Sequence, residues 1–332
     1  MQIAFICSEK ENFSRVYSIN VIKTLEEGGS DGVCYNKAEV LENKLIFKDT
    51  EYIFSTWDMP TFTNEEIKGI FPSLKCVFYA AGSVKKFAKP FLECGVKVFS
   101  AWAANAIPVA EYTVANIILA NKGFYQSSML TKNGYYERAR EFSKACPGNY
   151  GVKIGIIGAG MIGKLVINML KAYNLQVLVF DPFLPDETAN ELGVQKVSLD
   201  TIFKECQVIS NHLADNEQTK NMLKLEHFSL MPPYATFLNT GRGAQVVEND
   251  LVTALTNRPD ITAVLDVTLP EPPEAEHPFY RLPNCILTPH VAGSFGNEMY
   301  RMSEYMYDEF KNYTEGNHTN YEVTIKMLET MA

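Results

Sequence analysis

Between residues 153 and 181 the chain spells out one strand–helix–strand unit, and no other segment constrains its fold as tightly. Lys153–Ile157 reads as a short apolar strand, and Gly158-Ala159-Gly160-Met161-Ile162-Gly163 follows at once. Ile162, Leu165, Val166, Met169, Leu170 and Tyr173 then recur at helical spacing, and Gln176–Phe180 reads as a second strand ending in Asp181. Two strands joined by a crossover helix lie parallel in one sheet. Gly158 permits the tight turn, Gly160 lets a ligand approach the backbone, and Gly163 lets helix and strand pack closely. The opening helical turn, through Met161 and Ile162, offers N–H groups and a positive dipole end to an anion.

This spacing suits the pyrophosphate of a dinucleotide. Asp181 stands 23 residues beyond Gly158, where a carboxylate accepts hydrogen bonds from the adenosine ribose and repels a 2′-phosphate. That selects NAD over NADP. An aspartate before Pro182 is also an ordinary turn residue, and only the glycines upstream favour the functional reading.

Elsewhere the chain alternates short strands with helical patterns. Ile3–Cys7, Tyr52–Thr56, Cys76–Tyr79 and Lys97–Ser100 read as strands, with a helix over Ser14–Glu27 and a long apolar helix starting near Asn105 and Pro108. Lys132–Lys144 is a polar stretch. Further strands are expected at Gln207–Asn211, Thr236–Asn239, Thr262–Asp266 and Cys285–Thr288, then a helix over Asn297–Tyr313 and a last helical segment through Ile325 and Leu328. The fold class is α/β, with two doubly wound parallel-sheet domains. The boundaries expected are residues 104–295 for the dinucleotide domain and residues 1–103 plus 296–332 for a discontinuous second domain.

Composition narrows the partners. Net charge is −9 and no basic run exceeds the pair Lys85-Lys86, which argues against nucleic acid. The start of the chain turns polar too soon for a secretory signal, and no apolar run is expected to reach the roughly 18 residues of a membrane span. Seven cysteines, widely spaced and never in a Cys-x-x-Cys pair, fit free thiols in a reducing compartment rather than disulfides or a metal site. A cytoplasmic location is expected, with no membrane or metal partner.

Three further residues fall just past strands of the same sheet. Arg242, in Gly241-Arg242-Gly243, offers a bidentate fork to a carboxylate. Glu271 sits among Leu269-Pro270-Glu271-Pro272-Pro273, and His290 closes a strand in Thr288-Pro289-His290. Singly, these are a surface arginine, a loop acid and a structural histidine. Together they can converge on the reacting end of a bound dinucleotide.

The chain resembles the D-isomer-specific 2-hydroxyacid dehydrogenase family. The resemblance rests on Gly158–Gly163, Asn239-Thr240-Gly241-Arg242-Gly243, Leu265-Asp266-Val267 through Glu271-Pro272, and Thr288-Pro289-His290-Val291-Ala292-Gly293, with weaker support from Ala81-Gly82-Ser83 and from Asn105 with Val109-Ala110-Glu111. It implies a Rossmann NAD-binding domain set between two segments of a flavodoxin-like substrate domain, and a homodimer. It implies that His290 is the acid/base, that Glu271 holds and tunes it, and that Arg242 orients a small 2-oxo or 2-hydroxy acid. Backbone amides at Ala81 and Gly82 would bind the substrate carboxylate. Leu213, Ala214, Thr219, Thr240, Gly241 and Asp266 would line the cofactor, with Arg242 and His290 beside the nicotinamide. Glutamate at 271 argues against formate dehydrogenases, which pair the histidine with glutamine. Two positions depart from the family pattern: Ala214-Asp215-Asn216 replaces a Pro-Leu-Thr stretch, and Val84-Lys85-Lys86 follows Ser83. The rival class is an NAD-sensing binding protein, such as the corepressors built on this scaffold.

Overall fold

The computed structural model describes residues 2–329. They divide into two compact units, one running through Asn105 and resuming at Ser294, the other Ala106–Gly293.

In the first unit, β1 (Ile3–Ile6) leads through α1 (Lys10–Val16) and α2 (Ile19–Glu27) to β2 (Cys34–Tyr35), α3 (Lys37–Glu42), β3 (Tyr52–Ser55), α4 (Asn64–Ile70), β4 (Cys76–Tyr79), α5 (Ala88–Glu93) and β5 (Lys97–Ser100). The single helix expected over Ser14–Glu27 is broken: Ser18 is extended and its hydroxyl accepts from the Val21 amide at 3.3 Å, starting a new helix. The strands are parallel in the order β5-β4-β3-β1-β2, the flavodoxin-like arrangement. Nearly unbroken apolar runs such as Ile3–Ile6 are what a sheet covered on both faces requires.

α6 (Trp102–Ala120) carries the chain into the second unit. Contrary to the sequence reading, it is long and apolar enough to cross a membrane, with hydropathy 1.2, but 61% of that window is buried inside the fold. Asn105, Glu111, Thr113 and Asn116 interrupt the run in the sequence. Next come α7 (Phe124–Lys132) and α8 (Tyr136–Ala145), which pack on each other. α8 lies where the sequence shows only a polar stretch, because Ala139 is its one buried residue.

The dinucleotide-type sheet then follows as β6 (Lys153–Ile157), α9 (Met161–Leu170), β7 (Gln176–Phe180), α10 (Asp186–Leu192), β8 (Gln195–Lys196), α11 (Leu199–Glu205) and β9 (Val208–Asn211). It continues through α12 (Leu225–Phe228), β10 (Thr236–Asn239), α13 (Glu248–Asn257), β11 (Thr262–Leu265) and β12 (Cys285–Leu287). The strand order is β12-β11-β10-β9-β6-β7-β8, all parallel, which is the Rossmann order extended by one strand. The order in which strands are added switches sides between β6 and β9, so ligands are expected at the carboxyl ends there.

α14 (Glu298–Glu315) and β13 (Glu322–Val323) complete the first unit. α14 belongs there for a packing reason. Phe54, Phe78 and Phe99 stack across adjacent strands with centroids 5.0 Å apart, and Phe310 meets Phe54 and Phe78 edge-on at 5.4 and 5.7 Å. Met299, Met302 and Met306 extend that buried face. The last segment is not a helix as expected. Glu309, 1% exposed, accepts from the amides of Asn320 and Tyr321 and turns the chain, so Val323 pairs antiparallel with Val98 before a short 3-10 turn at Lys326–Glu329.

Candidate active site

The glycine turn has the dimensions its residues foretell. Gly158 has φ +90, and a Cβ there would lie 2.7 Å from the His212 carbonyl oxygen. At Gly163 a Cβ would come within 2.1 Å of the Gly158 carbonyl oxygen, so α9 and its strand touch only because glycine is present. At Gly160, by contrast, nothing lies within 4 Å of that position. Gly160 is also the N-cap of α9 and brings no side-chain cap, leaving the first turn at Met161 and Ile162 to an outside acceptor. This open cradle at a helix N-terminus fits a pyrophosphate.

Asp181 closes β7 and accepts from the Ala159 amide at 2.7 Å and the Phe183 amide at 2.8 Å, one bond to each oxygen. It thereby links the glycine turn to the second strand. A carboxylate has about four acceptor positions, so it keeps capacity for ribose hydroxyls.

The Arg242 turn is built by buried amides. Asn211 Nδ2 donates to Asn239 Oδ1 at 3.0 Å and to Gln245 Oε1 at 2.6 Å. Asn239 Oδ1 accepts from the Gly241 amide, Gln245 Oε1 accepts from the Arg242 amide, and Arg242 Nη1 donates to the Gly241 carbonyl at 2.8 Å. Gln245 Nε2 reaches across to the carbonyls of Leu213 and Ala214 at 2.8 and 3.0 Å, and Thr219 Oγ1 donates to Ala214 at 2.6 Å. Ala214 thus stands in a fixed loop although the proline of the family pattern is missing. Thr240 Oγ1 lies 3.5 Å from Nδ1 of His212, whose Nε2 meets Ser210 Oγ at 2.9 Å. Burial pushes the His212 imidazole down to about 3, so it is neutral.

His290 and Glu271 are brought together directly, with Nδ1 2.6 Å from Oε1. Their side chains are 48% and 41% exposed. A contact so exposed adds little to stability, so its consequence is orientation. With Nδ1 turned to the carboxylate, Nε2 is the nitrogen left to face a substrate. His290 has φ +54, an uncommon conformation for a non-glycine residue. The turn is held by Asp266, 2% exposed, whose carboxylate accepts from Thr288 Oγ1 at 2.6 Å and from the Val291 and Ala292 amides at 2.9 Å each. The His290 amide donates to the Asp266 carbonyl at 3.1 Å, and Tyr112 hydroxyl meets Thr288 Oγ1 at 3.0 Å. Strain of about 1–3 kcal/mol at such a residue persists only when bonds of this kind over-determine it. Asp266 therefore directs both carboxylate oxygens at the turn carrying His290.

Arg242, Glu271 and His290 follow β10, β11 and β12, three adjacent strands, at the sheet edge that also carries the glycine turn. In the first unit, Ser100 Oγ donates to the carbonyls of Ala81 and Gly82 at 2.9 and 2.6 Å. A trans peptide places N–H opposite C=O, so the Gly82 N–H points away from Ser100. The Ala81 amide already donates to Tyr79. Trp57 packs against the cores on both faces of its sheet, and Trp102 meets Tyr321 edge-on at 5.7 Å. Gln245, between Ala244 and Val246, has no local signal in the sequence, and Thr288 is marked there only as the strand end before Pro289-His290.

Residues 114–292 match the family model described as D-isomer specific 2-hydroxyacid dehydrogenase, NAD binding domain. A D-3-phosphoglycerate dehydrogenase of Archaeoglobus fulgidus is 29% identical over 222 residues, 67% of this chain and 42% of that protein. A hydroxypyruvate reductase of Thermotoga maritima is 31% identical over 206 residues, 61% of this chain and 65% of that protein. The matched region thus spans less than two thirds of either relative. In fold, a phosphoglycerate oxidoreductase from Rhizobium etli superposes with a TM-score of 0.80 at 21% identity, covering 98% of this chain and 99% of that one.

Proposed function

Because the chain belongs to the D-isomer-specific 2-hydroxyacid dehydrogenase family and carries its NAD-binding domain, we propose that it reduces a 2-oxo acid to the D-2-hydroxy acid, and catalyses the reverse. The observation that carries this reading is the 2.6 Å pairing of His290 with Glu271 on the sheet edge that holds Arg242 and the open glycine turn.

Gly158, Gly160 and Gly163 give the pyrophosphate its turn, the first turn of α9 at Met161 and Ile162 gives it donors, and Asp181 accepts from the ribose. Leu213, Ala214, Thr219, Thr240, Gly241 and Asp266 are the proposed remaining cofactor neighbours. When held by these residues, NADH would supply a hydride for the carbonyl carbon. Arg242 donates to the carbonyl oxygen and the carboxylate, and protonated His290 delivers the proton to the forming alkoxide from Nε2. Glu271 accepts Nδ1–H throughout and fixes the ring. One hydride and one proton thus convert the oxo group to a hydroxyl. Proton transfer of this kind contributes typically 10²- to 10⁴-fold. The Gly82 amide, with Ala81 shaping its turn, is proposed to bind the substrate carboxylate. The same reading assigns a cytoplasmic homodimer. All seven cysteines are free, in keeping with a reducing compartment.

The test is NADH oxidation with glyoxylate, hydroxypyruvate, pyruvate and bulkier 2-oxo acids. Turnover of at least one is expected. NADH binding without turnover of any would favour the NAD-sensing alternative.

A further inference from the structure

The catalytic glutamate sits in a proline-flanked surface loop, a poor platform for a group whose role is to hold a ring in place. Glu271 is itself exposed. Something outside the loop has to fix it.

Two observations locate that support. The first is a close backbone approach. A Cβ at Gly243, the residue after Arg242, would lie 2.1 Å from the Thr268 carbonyl carbon and 2.6 Å from the Leu269 nitrogen. The Thr268–Leu269 peptide therefore lies directly on the arginine turn. The second is a hydrogen bond: Glu248, the first residue of α13, accepts from the Leu269 amide through Oε1 at 2.8 Å. The same peptide is thus held at two points, by the close approach of Gly243 and by the Glu248 carboxylate, two residues before Glu271. Thr268 Oγ1 continues the order forward by donating to the Pro270 carbonyl at 2.9 Å.

Glu248 is itself braced. Its Oε2 lies 3.5 Å from Nε2 of His277, and the two side chains are only 13% and 14% exposed. His277 Nδ1 accepts from the Phe279 amide at 3.3 Å, so the ring proton is on Nε2 and faces the carboxylate. The imidazole packs on Phe279, centroids 4.4 Å apart, and Phe279 is 1% exposed in the core. A carboxylate–imidazole pair thus runs from the core to the loop, meeting it at Leu269, two residues before Glu271.

We propose that Glu248, braced by His277, is a positioning residue: it clamps the Thr268–Leu269 peptide against Gly243 and so sets Glu271 on His290 and keeps the glutamate loop in register with Arg242. This rests on the catalytic reading above. Leu269 is 56% exposed, so without Glu248 its amide finds water. The loss falls on geometry more than on stability.

The experiment uses the full chain labelled with 15N-histidine, whose five histidines give separate ring signals reporting which nitrogen carries the proton. Glu271→Ala is the reference for a freed His290. Glu248→Ala is expected to move the His290 signal part of the way to that reference while His212 and His227 stay put. His277→Phe is expected to move it in the same direction, and Glu248→Gln, which keeps an acceptor for Leu269, to restore it. With hydroxypyruvate as the probe, Glu248→Ala should lower kcat about 10-fold, the usual scale for groups that orient a catalytic ligand, with NADH Kd unchanged. The double variant Glu248→Ala/Glu271→Ala should be no slower than Glu271→Ala alone. A His290 signal that ignores both Glu248→Ala and His277→Phe, or losses that multiply in the double variant, overturns the proposal and leaves the catalytic reading standing. A His290 signal indifferent to Glu271→Ala removes the catalytic pair itself. Should Glu248→Ala not fold, His277→Phe decides alone.

Discussion

Gly160 and Gly163 sit three residues apart in one motif, yet alanine at each should fail in a different way. At Gly160 the backbone is extended, φ −70 and ψ −160, and a Cβ meets nothing within 4 Å. Alanine there strains nothing, and reduced freedom of the unfolded chain stabilises by about 0.4–1 kcal/mol. The added methyl would occupy the space through which phosphate oxygens reach the backbone. Losing one charge-assisted hydrogen bond costs about 1.5–3 kcal/mol, which is roughly 10- to 100-fold in Kd. At Gly163 the Cβ would stand 2.1 Å from the Gly158 carbonyl oxygen, backbone against backbone. Overpacking of that kind costs about 1–3 kcal/mol, offset by roughly 1 kcal/mol of better helix propensity. Because both partners are backbone and neither can swing away, the upper part of that range applies and net destabilisation is about 1–2 kcal/mol, a fall in Tm of roughly 2–8 °C for a unit of this size. Thermal melts and NADH fluorescence titrations separate the two. Gly160→Ala should melt at or above the wild-type temperature and bind NADH at least tenfold more weakly, whereas Gly163→Ala should lose both. Wild-type NADH affinity in Gly160→Ala would refute the assignment of the open cradle to phosphate.

Asp181→Ala should raise the NADH Kd more than the NADPH Kd, narrowing the preference between them; an unchanged ratio would show that Asp181 serves only the Ala159 and Phe183 amides. His212 supplies a pH dependence. Its folded value of about 3 lies below the ordinary 6.5, so the unfolded chain takes up the proton first. Its stabilising contribution is complete above pH 6.5 and is lost as pH falls towards 3. Between pH 6.5 and 5 that amounts to about 2 kcal/mol. Urea unfolding at pH 7.5 and 5.0 should show His212→Gln losing less stability than wild type over that interval, and parallel losses would contradict it.

The sequence reads most clearly where backbone geometry and residue identity coincide. Gly158, Gly163 and Asp181 announce themselves because a positive φ, a 2.1 Å approach and a strand-end acceptor each exclude most other residues. Strands such as Lys153–Ile157 were legible because burial on both faces leaves continuous apolar runs. What was hidden depends on partners far along the chain. α8 shows no apolar stripe because it buries only Ala139. The end of the chain looked helical, since nothing nearby signals that buried Glu309 will turn it and that Val98 will pair with Val323. In the site, Arg242, Glu271 and His290 could be named from their places after strands. Gln245, Asp266 as anchor of the His290 turn, and the Glu248–His277 brace could not. Their roles lie in hydrogen bonds spanning 21 to 32 residues of sequence, which no local pattern encodes.

The most direct test of the catalytic account is His290→Gln. For the best 2-oxo acid found with wild-type protein, kcat/KM for NADH-dependent reduction should fall by about 10²- to 10⁴-fold, while the NADH Kd, read by fluorescence on the same preparation, stays close to wild type. Turnover undiminished in the variant would contradict the assignment of proton transfer to His290.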